Sequence, residues 1–402
     1  MVELVVQKYG GTSLQTAERM AQAADRIIKE TKKGRQVVVV VSAMGSTTDD
    51  LTALAGQVTT RPAARELDLL LSTGEQVSCA LMAMALQARG IEADALTGSQ
   101  AGLETDATYG SSIVKSVDPL PIRQRLEEGK VVVVSGFQGC PGGHEVTTLG
   151  RGGSDTTAAV LAAALKAARC EIFTDVDGVY TADPGTIKGA QKYEEMDFES
   201  LSALAELGAS VVHPRAAEAA KSGHIPLVVR SSFTEQEGTT VLPANARTYA
   251  FPVIGVTYET GLSHLSIHGS MDMKKLEEEW KETLNPWKAT QHTGGCQYRV
   301  IIRDEDVYDT MSFLTRFRGK LAYRVSEHTT GRALVHVVFK SGEEKQNAEA
   351  FLQQLPLPPG VIVQSHPHVW SIDVAENHGV DVCQVLHDYC MKRETDPVSA
   401  AN

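Results

Sequence analysis

Two glycine-containing loops carry residue types that bind phosphate or carboxylate groups. The first loop includes Lys8, Gly10 and Gly11, between a strand-like run and a helical one. Adjacent glycines let backbone N–H groups approach a ligand closely, and the Lys8 ammonium could meet a phosphate. The spacing is not that of a Walker loop, and a simple glycine turn is the alternative interpretation.

The second loop, which opens a long alanine-rich helix, is the stronger candidate. It combines glycines, an arginine and helix-capping side chains: Gly150, Arg151, Gly152, Gly153, Ser154 and Asp155. A helix N-terminus carries a partial positive charge, and a nearby guanidinium adds to it. Because a structural turn rarely needs so many glycines and an arginine, this loop favours anion binding.

An acidic cluster follows a later predicted strand. It contains Thr174, Asp175, Asp177, Tyr180 and Asp183. Carboxylates at the carboxyl ends of parallel strands lie where ligands usually bind. A calcium loop is not indicated, since the glutamate expected at its twelfth position is missing. A solvated acidic loop is the alternative.

Two polar stretches complete the set of candidates. One follows the second predicted strand and includes Ser42 and Thr47, and the other interrupts an apolar helical stretch and includes Glu75. Glu75 is either solvent-facing or placed to bind a cation such as a substrate ammonium. The sequence leaves both interpretations open.

A metal site contributed by the protein is not predicted. Cys383, His387 and Cys390 fall on one helical face and could ligate zinc. They supply three ligands where a structural zinc site takes four, and amphipathic packing explains the same spacing.

The first 245 residues alternate between β-branched runs and helical patterns, which is typical of an α/β domain with a largely parallel sheet. The predicted strands are Leu4–Gln7, Gln36–Val41, Val131–Ser135, Glu171–Thr174 and Pro226–Val229. The predicted helices are Thr16–Thr31, Ala64–Arg89, Thr156–Ala168 and Phe198–Ala209.

Residues 246–402 have a different rhythm, typical of one or two ferredoxin-like α+β sandwiches. The predicted strands are Leu265–His268, Gln297–Ile302, Leu321–Ser326, Leu334–Phe339 and Val361–Ser365. The predicted helices are Met273–Leu284, Val307–Phe317, Glu344–Gln354 and Val380–Lys392. We therefore expect two parts, 1–245 and 246–402.

Composition narrows the class of protein. The 402 residues include 38 Lys and Arg against 50 Asp and Glu, so the net charge is 38 − 50 = −12. This balance argues against nucleic-acid binding, which depends on clustered basic residues. No run approaches about 20 uninterrupted apolar residues, and the first residues lack a signal-peptide layout. Six cysteines without a Cys-x-x-Cys pair predict a cytoplasmic protein without disulfides.

Taken together, these motifs resemble those of the aspartate kinases. The resemblance covers about residues 2–242, in the family's order. It rests on the stretches Lys8–Ser13, Ser42–Asp49, Leu71–Glu75, Gly136–Gly139, Arg151–Thr157, Phe173–Pro184 and His213–Arg215. The arrangement after residue 250 is similar to the tandem ACT regulatory domains of that family.

The resemblance implies an amino-acid-kinase fold and transfer of the ATP γ-phosphoryl group, with Mg²⁺, to the β-carboxylate of L-aspartate. Aspartyl phosphate is the entry to lysine, threonine and methionine synthesis. The resemblance also implies ATP and L-aspartate as the ligands, without nucleic acid or membrane. A homodimer or homotetramer through the ACT-like region is implied as well.

The same resemblance implies a role for each candidate residue. Lys8 and Asp155 are the implied catalytic residues. The implied substrate-binding residues are Thr47, Glu75, Arg151, Gly152, Gly153 and Ser154. The implied ATP-binding residues are Lys8, Gly10, Gly11, Ser42, Thr174, Asp175, Tyr180 and Asp183.

The chain departs from the family pattern at three kinds of position. Gly185 and Ser210 replace an arginine and a lysine that the family places near the nucleotide, and Ser99 replaces a tryptophan. The family's turn after the first ACT strand is absent, with His268–Asp272 in its place. Alternative functions are therefore a binding subunit that has lost catalysis, or a kinase with a changed nucleotide or acceptor.

Overall fold

The computed structural model describes residues 2–142, 145–209, 211–243, 253–269, 289–294, 297–317, 323–352, 357–358 and 361–391. These residues form two compact units. The first comprises residues 1–180, 192–206 and 210–248, and the second comprises 181–191, 207–209 and 249–402.

The first unit is built on an eight-stranded sheet. Its strands, in chain order, are β1 (Leu4–Tyr9), β2 (Gln36–Val41), β3 (Ala93–Leu96), β6 (Val131–Ser135), β9 (Arg169–Thr174), β10 (Glu195–Asp197), β11 (Leu227–Ser231) and β12 (Thr239–Leu242). Across the sheet the strands lie in the order β10-β12-β11-β9-β1-β2-β6-β3. All neighbouring pairs are parallel except β11 and β12. Two small hairpins, β4 (Leu103–Thr105) with β5 (Val114–Val117) and β7 (Gln138–Gly139) with β8 (Thr147–Thr148), lie outside this sheet.

The central strands are continuous apolar runs because helices cover the sheet on its faces. Val37–Val41 and Val131–Val134 are at most 2% exposed. The helices of this unit are α1 (Ala17–Lys32), α2 (Thr47–Val58), α3 (Ala64–Gln87), α4 (Leu120–Glu127), α5 (Gly153–Leu165), α6 (Phe198–Glu206) and α7 (Pro214–Ser222). A buried cluster joins α1 and α3 to β1, β2 and β6.

The second unit contains a six-stranded antiparallel sheet. Its strands are β13 (Val253–Gly269), β14 (Ala289–Gly294), β15 (Gln297–Arg303), β16 (Tyr323–Phe339), β17 (Ile362–His366) and β18 (Val369–Ala375), in the order β14-β15-β13-β16-β18-β17. Its described helices are α8 (Val307–Phe317), α9 (Gly342–Leu352) and α10 (Gly379–Cys390).

The predicted fold class is confirmed: a largely parallel sheet with helices, followed by an antiparallel α+β part. Several element bounds differ from prediction. Two predicted strands, Leu321–Ser326 (described from residue 323) and Leu334–Phe339, fall in one 17-residue strand, β16. It pairs along most of its length with the equally long β13, through several register shifts. The predicted helix Met273–Leu284 lies outside the described residues. Of the stretch His268–Asp272, only residues 268 and 269 are described, and they end β13.

The polar stretch Ser72–Glu75 lies inside a helix, as the predicted helix Ala64–Arg89 implies. Helix α3 is continuous over its 24 residues. By length and apolar composition α3 could cross a membrane, a test that core helices of globular proteins also pass. Buried Asp68, Ser72 and Glu75 give α3 a polar face inside the first unit.

Candidate active site

The end of β1 and the start of α5 place two opposite charges together. The Lys8 Nζ lies 2.7 Å from Asp155 Oδ1, and each side chain is only 12% exposed. Tyr9, the next residue, stacks on Phe173 of β9 with ring centroids 4.7 Å apart. This stacking joins the carboxyl ends of β1 and β9, and the ion pair with Asp155 holds the Lys8 ammonium there.

The glycine loop after β1 lets two backbone segments approach closely. A Cβ on Gly11 would lie 2.9 Å from the Ala43 carbonyl oxygen, which only glycine avoids without a shift. The N–H of Gly10 donates to Phe173 O at 3.1 Å, and that of Gly45 donates to Gly11 O at 3.0 Å. Because the Gly10 N–H already donates to the Phe173 carbonyl, Gly10 contributes close packing beside Lys8 and no free hydrogen-bond donor.

Glu75 is buried on α3 with one half of its carboxylate occupied. Its Oε1 accepts the Ala43 N–H at 3.0 Å. Its Oε2 is buried and has no hydrogen-bond partner among the described residues. Burial raises the pKa of Glu75 to about 7, although the Ala43 N–H partly opposes this. An orphaned buried carboxylate oxygen is costly unless a ligand donates to it.

The N-terminus of α5 depends on glycines in left-handed backbone conformations. Gly150 and Gly152 have φ of 73° and 67°. A Cβ at Gly152 would lie 2.2 Å from the His213 side chain. No side chain caps the helix through a hydrogen bond. The Gly153 N–H donates to the Gly150 carbonyl at 3.0 Å, so the N–H groups that follow it and the partial positive charge of the helix are the features that an anion could use.

These features line one cavity of about 550 Å³. Its lining brings together residues from β1, the loop after β2, α3 and the start of α5. Among the predicted site residues it includes Lys8, Gly11, Ser42, Glu75, Arg151, Gly152, Gly153, Ser154 and Asp155. One cavity thus holds a buried carboxylate, an ammonium, a guanidinium and a helix N-terminus, which is the complement of a zwitterionic or polyanionic ligand.

Comparison with known proteins shows the family to which the chain belongs. Residues 3–231 match the amino acid kinase family. Over 399 residues the chain is 38% identical to aspartokinase 2 of Bacillus subtilis, covering 96% of this chain and 97% of that one. It is 42% identical over 343 residues to an aspartokinase of Bacillus sp. strain MGA3, covering 83% and 84%. The chain belongs to the amino acid kinase family.

A solved structure shows the same fold. E. coli aspartokinase III, crystallised with aspartate and ADP, superposes with a TM-score of 0.80 over 97% of this chain and 100% of that one, at 23% identity. At 23% identity this similarity shows a shared fold and no more. The matches to named aspartokinases extend well beyond residues 3–231, so the kinase family and the C-terminal part occur together in relatives.

Within the family fold, the predicted acidic cluster forms its own hydrogen-bonded loop. Thr174 Oγ1 donates to Asp175 Oδ1 at 3.0 Å, and Tyr180 Oη donates to Asp177 Oδ1 at 2.7 Å. The Tyr180 hydrogen bond is the main reason that the pKa of Asp177 lies below its usual range. Thr174 ends β9, Asp175 and Tyr180 follow it, and none of the three lines the 550 Å³ cavity.

Two other predicted residues are placed differently from the cavity group. Thr47 opens α2, and its hydroxyl donates to Met44 O at 2.6 Å, while the next residue, Thr48, lines the cavity. Asp183 belongs to the second unit. There its two oxygens accept from the Gly185 N–H at 2.9 Å and the Thr186 hydroxyl at 2.7 Å.

One residue of the cavity lining, Asp68, was not predicted from the sequence. It is 1% exposed on α3 and lines the cavity. It accepts from the Gly110 N–H at 2.9 Å, the Thr148 N–H at 2.8 Å and the Thr148 hydroxyl at 2.7 Å. An aspartate seven residues before Glu75, two helical turns along the same face, was the available signal. Through these hydrogen bonds Asp68 connects α3 to the chain segments at Gly110 and Thr148 beside the cavity.

Proposed function

We propose that this protein transfers the γ-phosphoryl group of ATP to the β-carboxylate of L-aspartate and releases 4-phospho-L-aspartate and ADP. The observation that carries the proposal is the buried, unpartnered Oε2 of Glu75 in a cavity that also holds Lys8, Arg151 and the start of α5. A buried anion beside several cationic groups suits an α-amino acid with an additional carboxylate.

Aspartate binding would divide its charges among these groups. The α-ammonium would donate to Glu75 Oε2, with Thr47 nearby on α2. The Arg151 guanidinium would clamp a carboxylate through two N–H donors, and Gly152, Gly153 and Ser154 would offer the helix N-terminus. This arrangement leaves the β-carboxylate as the reacting group.

Transfer itself would need charge neutralisation and alignment more than covalent catalysis. A β-carboxylate oxygen forms a bond to the γ-phosphorus while the bond from that phosphorus to the β–γ bridging oxygen breaks, and ADP leaves with the electron pair. Lys8 would hold the phosphoryl oxygens at the transfer point, and Asp155, 2.7 Å away, would hold the ammonium in place.

The nucleotide would occupy the edge of the sheet after β9. Thr174, Asp175 and Tyr180 would contact it, and Gly10, Gly11 and Ser42 would border its phosphates. Loops after parallel strands are the usual nucleotide position in open α/β sheets, which supports this assignment.

Mg²⁺ would reach the site on the ATP phosphates and neutralise part of their charge. Mg²⁺ prefers oxygen ligands and usually takes only one or two from protein carboxylates. The donor set fits: Asp155 Oδ1 is a buried carboxylate oxygen whose described partner is the Lys8 ammonium, whereas Asp68 is saturated by three donors.

A binding subunit that has lost catalysis is the second candidate, and one observation favours it. Gly185 is exposed, and a side chain there would meet only Asp183 Oδ1, at 3.3 Å, so the position offers space but no cation. Ser210, the other departure, lies outside the described residues. Calorimetry with ATP separates the candidates, because affinity as high as that of an ordinary family member removes this argument.

The cellular setting belongs to the same proposal. Residues 1–245 would form the catalytic domain and 246–402 an ACT-like regulatory region that joins copies into a homodimer or homotetramer. The protein would work in the cytoplasm, without nucleic acid or membrane, in lysine, threonine or methionine synthesis. Activity measured with and without each of these amino acids tests the regulatory role.

Trapping of the product tests the activity directly. With ATP, Mg²⁺, L-aspartate and hydroxylamine, the protein should form aspartyl hydroxamate. Omission of aspartate is the control. No hydroxamate at high enzyme and millimolar ATP would contradict the kinase assignment, and a panel of nucleoside triphosphates and acceptor acids would then test for a changed substrate.

A further inference from the structure

A second cavity of the first unit lies on the face of the sheet opposite the candidate active site. Its volume is about 350 Å³, and residues of α1, β1, β9 and β11 contribute to its lining. Neighbouring side chains of a strand point to opposite faces of a sheet. Gln7 of β1 lines this cavity, whereas the next residue, Lys8, lines the cavity of the candidate active site. The thickness of the sheet therefore separates the two cavities.

The lining of this second cavity is rich in cations. They are Arg26, Lys29, Lys32, Lys33 and Arg230. Three carboxylates line the cavity as well, those of Glu30, Glu171 and Glu235. The lining thus carries an excess of two positive charges, in a chain whose net charge is −12. A cavity with an excess of one charge attracts ions of the opposite sign.

The buried carboxylates of the lining are neutralised by partners within the protein. Glu171, whose side chain is 2% exposed, accepts from Gln7 Nε2 at 2.7 Å and pairs with Arg169 at 3.0 Å and Arg230 at 3.2 Å. Arg169 also pairs with Glu30 at 3.1 Å. Because Arg169 lies outside the lining and supplies part of this neutralisation, the cations of the lining are left in excess.

Two of these cations lie over the same aromatic ring. The guanidinium carbons of Arg26 and Arg230 are 5.0 and 5.9 Å from the ring centroid of Phe173. Tyr9 stacks on that ring and covers one of its faces, so both guanidiniums lie on the other face. Two guanidiniums on one face of a ring form a set of planar donors that suits the oxygens of a phosphate group.

Interactions within the protein leave part of the binding capacity of both arginines unused. The Arg26 side chain is 13% exposed, and its ion pair with Glu235 spans 3.8 Å to a carboxylate that is 69% exposed, which makes the pair weak. The Nε of Arg230 is buried and has no hydrogen-bond partner among the described residues. An unpaired buried donor and a largely buried charge both cost free energy, and an anion in the cavity would offset both costs.

We propose that this cavity is a second ligand site, which binds a small anion with two or more phosphate groups. The guanidiniums of Arg26 and Arg230 hold one phosphate over Phe173, and the exposed Lys29 and Lys32 bind another as point charges. A volume of about 350 Å³ is at the lower end for ligand sites, which suits a small ligand. This inference goes beyond the proposed function and does not depend on it, because no residue of the lining is assigned to aspartate, ATP or phosphoryl transfer.

Calorimetry with pyrophosphate as the probe tests the site. Because pyrophosphate could also bind beside Lys8, the wild type is compared with Lys8→Met, in which the candidate active site has lost its ammonium. We expect Lys8→Met to retain one pyrophosphate site. Arg26→Gln, made in either background, should weaken binding at this site at least about tenfold, because charge-assisted hydrogen bonds are lost. No binding to Lys8→Met, or equal affinity after Arg26→Gln, would overturn the proposal.

A matched pair of exposed lysines keeps the test independent of folding. Lys32→Gln removes a charge from the lining at an exposed position and should weaken pyrophosphate binding about two- to threefold. Lys115→Gln, at an exposed position of β5 outside the lining, should leave the affinity unchanged. Equal affinities of these two variants would overturn the proposal, because binding would then depend on overall charge or on another site.

Hydrogen exchange locates the ligand without any measurement of catalysis. Pyrophosphate should slow exchange in a peptide from the second half of α1 in the wild type and in Lys8→Met, but not in Arg26→Gln. Protection confined to the start of α5 would show that pyrophosphate binds only in the candidate active site, and would overturn the second site. A wild type that forms no aspartyl hydroxamate would contradict the kinase proposal alone, whereas loss of the α1 protection would contradict this inference alone.

Discussion

The Oε1 of Glu75 accepts the backbone N–H of Ala43 at 3.0 Å, a contact between the middle of α3 and the loop after β2. It fixes the carboxylate so that Oε2 is buried in the cavity without a described protein partner. Because the folded protein bears the desolvation cost of this carboxylate, Glu75 links substrate binding, pH dependence and stability.

The pH dependence of aspartate use should report Glu75. Its pKa is raised to about 7, so the carboxylate that would bind the α-ammonium is lost as pH falls below that value. We expect kcat/KM for aspartate to fall about tenfold per pH unit below pH 7. Steady-state kinetics from pH 5.5 to 8.5 measure this. A flat profile in this range would exclude Glu75 as the ammonium partner.

Glu75→Gln should raise the stability of the folded protein at pH 8 and weaken its use of aspartate. Between the ordinary pKa of 4.5 and about 7 the folded protein keeps a proton that the unfolded chain has released, so the stability of the wild type falls as pH rises through this window. The neutral variant avoids this cost. It should gain on the order of 3 kcal/mol at pH 8 and little at pH 4.

Urea unfolding at the two pH values checks the stability effect, and hydroxamate formation checks function. The KM for aspartate should rise at least about tenfold in Glu75→Gln because the amide cannot form an ion pair with the ammonium. A variant that is both less stable at pH 8 and fully active would contradict the assigned role.

The Lys8–Asp155 pair should behave as one functional unit. Each group is 12% exposed and the two atoms are 2.7 Å apart, so loss of either leaves a poorly solvated charge. We expect Lys8→Met and Asp155→Asn each to lower kcat by about 10²- to 10³-fold. The double variant should lose little more than the worse single variant. Strict additivity of the two losses would show that they act independently.

Arg151→Lys should separate charge from geometry. Lysine keeps the positive charge but cannot form the paired N–H donors of a guanidinium. We expect the KM for aspartate to rise about tenfold while kcat stays within about threefold. Arg61→Lys, at an exposed position outside the cavity lining, is the control and should leave both constants unchanged. Equal behaviour of the two variants would remove Arg151 from the substrate site.

Gly152→Ala should damage the start of α5. Its φ of 67° disfavours a side chain, and the added Cβ would lie 2.2 Å from the His213 side chain. Gly34→Ala is the matched control, with a φ of 78° but open space around it. The control should lose about 1–2 kcal/mol of stability and keep its activity. Gly152→Ala should also lose at least about tenfold in kcat/KM, measured by the hydroxamate assay.

Local sequence patterns determined much of the fold because buried parallel strands and their loops have distinctive compositions. The β-branched runs at Gln36–Val41 and Val131–Ser135 appear as strands with the predicted bounds. In the main sheet, strands β3, β10 and β12 were missed, and so were helices α2, α4 and α7. They are short or, like α2, begin inside a polar stretch that resembles a loop.

In the candidate site, the sequence alone predicted Lys8, Glu75 and the loop from Gly150 to Asp155, because their residue types suit anion and ammonium binding, and the structure places them around one cavity. It could not decide between a solvent-facing and a buried Glu75, since that depends on what packs against α3. It also gave no sign that Asp68 would saturate its carboxylate with three donors from distant loops.

Net charge and the placement of charges are decided at different levels. The sequence determines a net charge of −12, and the tertiary structure decides where individual cations act, placing Lys8, Arg151 and the start of α5 around one cavity. Only the fold assigns residues 181–191 and 207–209 to the second unit. Residue types determine which interactions are possible, whereas burial and long-range packing determine which ones form, because both depend on segments far apart in the chain.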